Sequence, residues 1–121
     1  MTAQAVLSHV EWRCRDLLGT CEFLRELFGW QFRAMGSRFA ECVPDQGPKI
    51  GLLQCAERVG EGDCQGFVRV DAIRSKLRKA VELGGEIIES PQTIPNYGYY
   101  GRIQTPDGTV LGLFSECLGD G

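Results

Sequence analysis

Polar and apolar residues alternate from Val6 to Cys14. Val6, Ser8, Val10, Trp12 and Cys14 fall on one side, and Leu7, His9, Glu11 and Arg13 on the other, which is the period of a half-buried strand. The period then changes. Leu17, Cys21, Leu24 and Phe28, with Leu27 beside them, recur at helical spacing. Asp16 offers a capping carboxylate before this helix and Gly29 a stop after it. Three further strands are predicted at Trp30 to Met35, Arg38 to Val43 and Lys49 to Cys55. Gly36-Ser37 and Pro44-Asp45-Gln46-Gly47-Pro48 separate them, and both have turn chemistry. Glu57 to Asp63, with Gly60 and Gly62, reads as a linker.

The order then returns. A strand from about Gln65 to Val70 leads to a helix capped by Asp71 and striped by Ile73, Leu77, Ala80 and Val81, ending at Gly84-Gly85. Glu86 to Glu89 reads as a short strand. Tyr99 to Thr105 and Thr109 to Ser115 form a hairpin about the turn Pro106-Asp107-Gly108. Val110 to Phe114 is apolar on both faces, so this last strand is expected at a sheet centre. Arg15-Asp16-Leu17 and Val70-Asp71-Ala72 each open a helix, and thirteen residues after each Asp comes a glycine, Gly29 or Gly84. The pattern is β-α-β-β-β written twice. It predicts one α+β domain over residues 1–121, with modules at about 5–56 and 64–116 joined by a linker at 57–63, and with helices on one side of a mixed sheet.

Composition narrows the function classes. The chain of 121 residues is 43% hydrophobic and 24% charged, with a net charge of -3. A mildly acidic surface argues against a nucleic-acid partner. Arg74, Lys76, Arg78 and Lys79 occupy one and a half turns of one helix and read as a solvated face. The six cysteines, Cys14, Cys21, Cys42, Cys55, Cys64 and Cys117, form no C-x-x-C pair. Most sit in apolar runs, where Cys behaves as a small hydrophobe. With His9 as the single histidine, a thiol nucleophile has little support. No signal peptide is visible, and no apolar run approaches the roughly 20 residues that span a bilayer. The expectation is a cytoplasmic protein with reduced thiols and no membrane association.

His9-Val10-Glu11 ahead of Arg15-Asp16-Leu17, Phe23-Leu24 and Phe28-Gly29-Trp30 make one set of motifs. Val68-Arg69-Val70-Asp71 with Leu83-Gly84-Gly85, and Thr105-Pro106-Asp107-Gly108 followed by Leu111-Gly112-Leu113, make another. In this order they resemble the vicinal oxygen chelate superfamily, which includes glyoxalases, bleomycin-resistance proteins and extradiol dioxygenases. The resemblance spans about residues 5–116. It implies that each module curls its sheet around a cavity with the helices outside. In enzymes of the superfamily, strand side chains converge there on a divalent metal. His9 falls where metal-dependent glyoxalases place a first ligand, Gln65 where they place a second His, and Gln54 or a neighbour near an expected Glu. Gly112 stands at the last ligand position and offers no donor. Amide oxygens are weak donors for zinc, nickel or iron, and Glu11 lies about 6–7 Å along the strand from His9. The expectation is therefore no metal cofactor, a divalent metal being the less favoured alternative.

A metal-free site has its own candidates. The first strand offers His9, Glu11 and Arg13, the fifth Gln65, Phe67 and Arg69, and the last Val110, Gly112 and Phe114. Gln54 joins them from the fourth strand. Pro95 to Arg102 is read as a mobile aromatic segment whose Tyr97, Tyr99 and Arg102 suit a planar or cationic small molecule. The alternative for these tyrosines is packing at a sheet edge or subunit interface, and for His9 a hydrogen-bonded pocket or core histidine. The resemblance implies a small-molecule binder like the bleomycin-resistance branch. A second reading is a glyoxalase-type lyase or isomerase, with His9 or Glu11 as general base and Arg69 stabilising an enolate. A third is a dimeric interaction module whose cavity is filled by its own side chains. A homodimer is expected, with the cavity closed either within one chain or across the dimer.

Overall fold

The computed structural model describes residues 9–56 and 66–119. The expected linker and Gln65 lie outside the described residues. In chain order the elements are β1 (His9–Cys14), α1 (Leu17–Phe28), β2 (Arg33–Ala34), β3 (Phe39–Cys42), β4 (Lys49–Gln54), β5 (Phe67–Arg69), α2 (Ile73–Glu82), β6 (Glu86–Ile94), β7 (Gly98–Gln104) and β8 (Val110–Ser115). They form two four-stranded mixed sheets, ordered β1-β4-β3-β2 and β5-β8-β7-β6. Each is one copy of the repeated β-α-β-β-β unit. β8 lies between β5 and β7, the central place its two apolar faces predict.

Alternation sets the layers. On β1, Trp12 and Cys14 are buried while His9, Glu11 and Arg13 are exposed. The buried face carries one core shared by both modules, built from Trp12, Leu24 and Leu52 on one side and Ile73, Leu77, Ile103, Leu111 and Leu113 on the other. Burying a side chain of this size contributes roughly 1.5–3 kcal/mol. The stripes differ from expectation in detail. On α1 the buried set is Leu17, Thr20, Phe23, Leu24 and Leu27, and on α2 Val81 is exposed.

Asp16 caps α1 as expected, its carboxylate accepting from the Gly19 N–H at 3.1 Å, and Gly29 ends the helix in the left-handed region at φ 78°. Asp71 does not cap α2. The N-cap is Ala72, with no side-chain bond, because backbone carbonyls following β8 do the work. Ile73 N–H donates to the Cys117 carbonyl at 3.2 Å and Arg74 N–H to that of Leu118 at 3.1 Å. Two further corrections concern β6 and the aromatic segment. β6 runs on to Ile94, past Pro91, with register shifts on either side of Glu89; an edge strand tolerates both proline and bulges. The segment expected as a mobile loop is instead a tight turn at Asn96 (φ 63°) leading directly into β7.

The modules meet at Asp107, in the turn between β7 and β8. Its Oδ2 accepts from the backbone N–H of Arg15 at 2.7 Å, from that of Asp16 at 2.8 Å and from Thr20 Oγ1 at 2.9 Å. Its Oδ1 accepts from the hydroxyls of Thr105 and Thr109. Thr109 Oγ1 also lies 3.1 Å from the Arg13 carbonyl, so its single proton is shared between the two acceptors. Burial alone would raise the Asp107 carboxyl, but the hydrogen bonds from Thr105, Asp16, Arg15 and Thr20 outweigh it and hold the group below its usual range. Beside this joint Gly66 lies against the Trp12 indole, leaving no room for a side chain.

Asp107→Ala strands two backbone donors and is expected to lower stability by about 3 kcal/mol in urea unfolding. Asp107→Asn keeps one acceptor and is expected to cost less. The folded carboxyl titrates below the value of about 3.9 it has in an unfolded chain. Its stabilisation is therefore complete above that value and disappears as pH falls through the folded one. The stability gap between wild type and Asp107→Asn should thus be larger at neutral pH than in acid; a gap independent of pH would contradict the assignment.

Candidate functional site

Strand register decides which side chains share the face turned away from the helices. In the first sheet Glu11 pairs with Gly51 and Arg13 with Leu53, while Glu41 pairs with Gly51 and Phe39 with Leu53. In the second sheet Phe67 pairs with Gly112 and Arg69 with Phe114, while Arg102 pairs with Gly112 and Tyr100 with Phe114. The two open faces are thus built alike. Gly51 on β4 and Gly112 on β8 hold equivalent positions at the middle of each sheet, and neither carries a side chain.

The faces differ in chemistry. The first is mostly charged: His9, Glu11, Arg13, Lys49 and the pair Arg33–Glu41 (3.5 Å) line it, around the Phe39 ring that lies against Gly51. The second is aromatic. The Phe67 ring lies across Gly112, in the space a side chain there would occupy. Phe67 meets Tyr100 edge-on at 6.0 Å, and Tyr97 packs on Phe114 at 5.5 Å. The Arg69 guanidinium sits 5.7 Å from the centre of the Phe114 ring and pairs with Glu116 at 2.7 Å. Phe67 and Tyr97 are 48% and 70% exposed, so this surface is open to a ligand or a partner.

Most of the residues anticipated from sequence lie on one or the other open face: His9, Glu11 and Arg13 on β1 in the first sheet, and Phe67 and Arg69 on β5, Arg102 on β7, Phe114 on β8 and Tyr97 at the turn in the second. Two do not. Gln54 pairs with Cys14 on the helix side, and its Oε1 accepts from the Leu17 N–H at 3.0 Å, serving the start of α1. Tyr99 pairs with Ser115 and packs against the core. Its neighbour Tyr100 takes the open face, with Glu89 bonded to its hydroxyl at 3.0 Å. Both follow from parity in the predicted strand Tyr99 to Thr105, on which Tyr99 and Arg102 stand on opposite faces. Arg102 facing outward puts Tyr100 outward as well.

The donors do not fit a chelate. Among the described residues no group of three or more His, Cys, Asp or Glu side chains could hold a metal ion. Both central strands present glycine at the middle of the open face, and an aromatic ring lies over each, Phe39 at Gly51 and Phe67 at Gly112. The thiols do not suggest a nucleophile. Burial, aided by the nearby Asp107, Cys21, Cys55 and Asp16, pushes Cys14 up to about 12, and burial raises Cys21 and Cys42 as well. A thiol held protonated is a poor nucleophile.

No protein-family model and no curated protein sequence matches the chain. Solved structures do. A glyoxalase-related enzyme from Fulvimarina pelagi superposes with a TM-score of 0.73 at 17% identity, covering 93% of this chain and 88% of its own. A glyoxalase/bleomycin resistance protein/dioxygenase family enzyme from Burkholderia phytofirmans PsJN gives 0.69 at 18%, covering 92% and 98%. TnmS3, an antibiotic binding protein from Streptomyces sp. CB03234, gives 0.71 at 20%, covering 95% and 98%. The chain has the glyoxalase/bleomycin-resistance fold, in agreement with the resemblance in its motifs. Among the described residues no helix is long and apolar enough to cross a membrane.

The placement of Gln54 and Tyr100 separates stability from binding. Gln54→Ala leaves the Leu17 N–H without its acceptor and should cost about 1 kcal/mol in urea unfolding, with Gln54→Glu restoring the acceptor. Tyr100→Phe, on a surface strand face, should change stability by less than about 0.5 kcal/mol. The reverse ranking would show that these roles are exchanged.

Proposed function

We propose that this protein binds a planar small molecule on the open face of its second module, without a metal ion. The observation that carries this reading is the Phe67 ring laid over bare Gly112, where the superfamily's enzymes place a metal-binding carboxylate. Phe114, Tyr97 and Tyr100 extend the same apolar surface. Flat rings stack well on such a surface, and each buried aromatic pair contributes about 0.5–1.5 kcal/mol beyond its area. The fold shared with an antibiotic binding protein supports a sequestering role. The exposed Phe67 and Tyr97 suit a homodimer in which a second copy covers the ligand.

The lyase or isomerase reading keeps His9 and Glu11, which stand on the open face of β1. It loses its oxyanion partner, because the Arg69 guanidinium is already engaged by Glu116 and the Phe114 ring. The binding reading is therefore the better supported.

A thermal-shift screen of planar aromatic compounds tests it. A ligand held at 100 times its dissociation constant adds about 2.7 kcal/mol of stability. Phe67→Ala and Phe114→Ala should each remove most of that shift, while His9→Ala should not. Shifts that survive both aromatic substitutions would place the ligand elsewhere, and a screen without any shift would favour an interaction module. Metal analysis of protein purified without a histidine tag should find no stoichiometric divalent ion; a stoichiometric one would overturn the metal-free reading.

A further inference from the structure

The open face of the second module also carries a hydrogen-bonded chain that packing does not require. Tyr100 Oη donates to Glu89 Oε2 at 3.0 Å, and Arg102 Nε lies 3.5 Å from Glu89 Oε1. Each oxygen of Glu89 thus has a partner, and the carboxylate is pinned between β6 and β7. A carboxylate only accepts, so the single hydroxyl proton of Tyr100 is committed to Glu89. Only lone pairs remain on the rest of the phenol oxygen. The hydrogen bond to Glu89, then burial and the Glu89 charge, raise the Tyr100 hydroxyl, so the phenol stays neutral at ordinary pH. Its ring meets Phe67, which covers Gly112, so the phenol stands on the same open face as these rings. The neighbouring ring faces have the same polarity. Aromatic faces are electron-rich, and the Phe114 face already receives the Arg69 guanidinium.

We propose that Tyr100, held by Glu89 as a hydrogen-bond acceptor, makes this face selective for planar molecules that present an N–H or O–H group at their edge; this rests on the ligand-binding reading above. Glu89 is the positioning residue, since it acts through the direction of the Tyr100 proton. An edge that offers only acceptors, such as an ether oxygen or a carboxylate, meets lone pairs and π faces and is disfavoured.

Carbazole and dibenzofuran test this directly, being tricycles of the same shape that differ by an N–H against an ether oxygen. In fluorescence titrations the wild-type protein should prefer carbazole about five-fold, the size of one neutral hydrogen bond. Tyr100→Phe should abolish the preference. Glu89→Ala frees the phenol proton to donate to dibenzofuran and should bring the ratio to unity or invert it. Glu89→Gln keeps an acceptor for Tyr100 and should retain most of the preference. Equal binding by the wild type, or a preference that survives Tyr100→Phe, overturns the acceptor role while leaving the planar-ligand reading intact. A full preference in Glu89→Ala removes Glu89 as the positioning residue. If neither tricycle binds the wild type, both readings fall together.

Discussion

The carboxylate of Asp107 ties the closing hairpin of the second module to the start of the first module's helix. Six donors converge on its two oxygens, three of them from Arg15, Asp16 and Thr20 on the other side of the repeat. A buried carboxylate is costly unless its lone pairs are filled, and here donors from both modules fill them. That joint fixes the end of β1 against the start of β8 through Thr109 and Arg13. With Gly66 packed on Trp12, it keeps the helix-side faces of β1 and β5 together over one core. The residues of opposite parity, Glu11 and Phe67, are thereby left on the open side.

What occupies that side sets the chemistry it can support. A chelate in this architecture needs strands that each deliver a donor to one point. Here the middle of each central strand is glycine, at Gly51 and Gly112, and the one histidine stands on an edge strand. The repeat is preserved while the two faces have diverged, one charged and one aromatic. An aromatic surface with its carboxylates committed to Tyr100, Arg102 and Arg69 suits the binding of a flat molecule better than Lewis-acid chemistry.

The architecture was legible because it rests on periods. The alternation of β1, the helical stripe after Asp16 and the turn at Pro106-Asp107-Gly108 are local signals, and the structure follows them. The details that escaped depend on partners distant in sequence. The α2 cap comes from the carbonyls of Cys117 and Leu118, which no motif near Asp71 announces. Gln54 belongs to the helix start because its strand lies parallel to β1 in one register, with Cys14 as its neighbour. Gly101 is a point of close approach, where a side chain would meet the Glu89 carbonyl and Leu77 and Ile73 pack beside it. The strand over Tyr99 to Thr105 is legible in the sequence, but which of its faces meets the core is set by distant partners, and this turns Tyr100 outward and Tyr99 inward.

The central claim is that a planar ligand lies on the aromatic rings that cover the middle of β8. Backbone amide resonances of isotope-labelled protein, followed while carbazole is added, test it most directly. The Gly112 amide should move most, together with those of Phe67, Tyr100 and Phe114, while Gly36 and Gly47 in the remote turns stay in place. Movement confined to the cleft beside α1 at Cys21, Gln31 and Phe32, with Gly112 unchanged, would contradict the account.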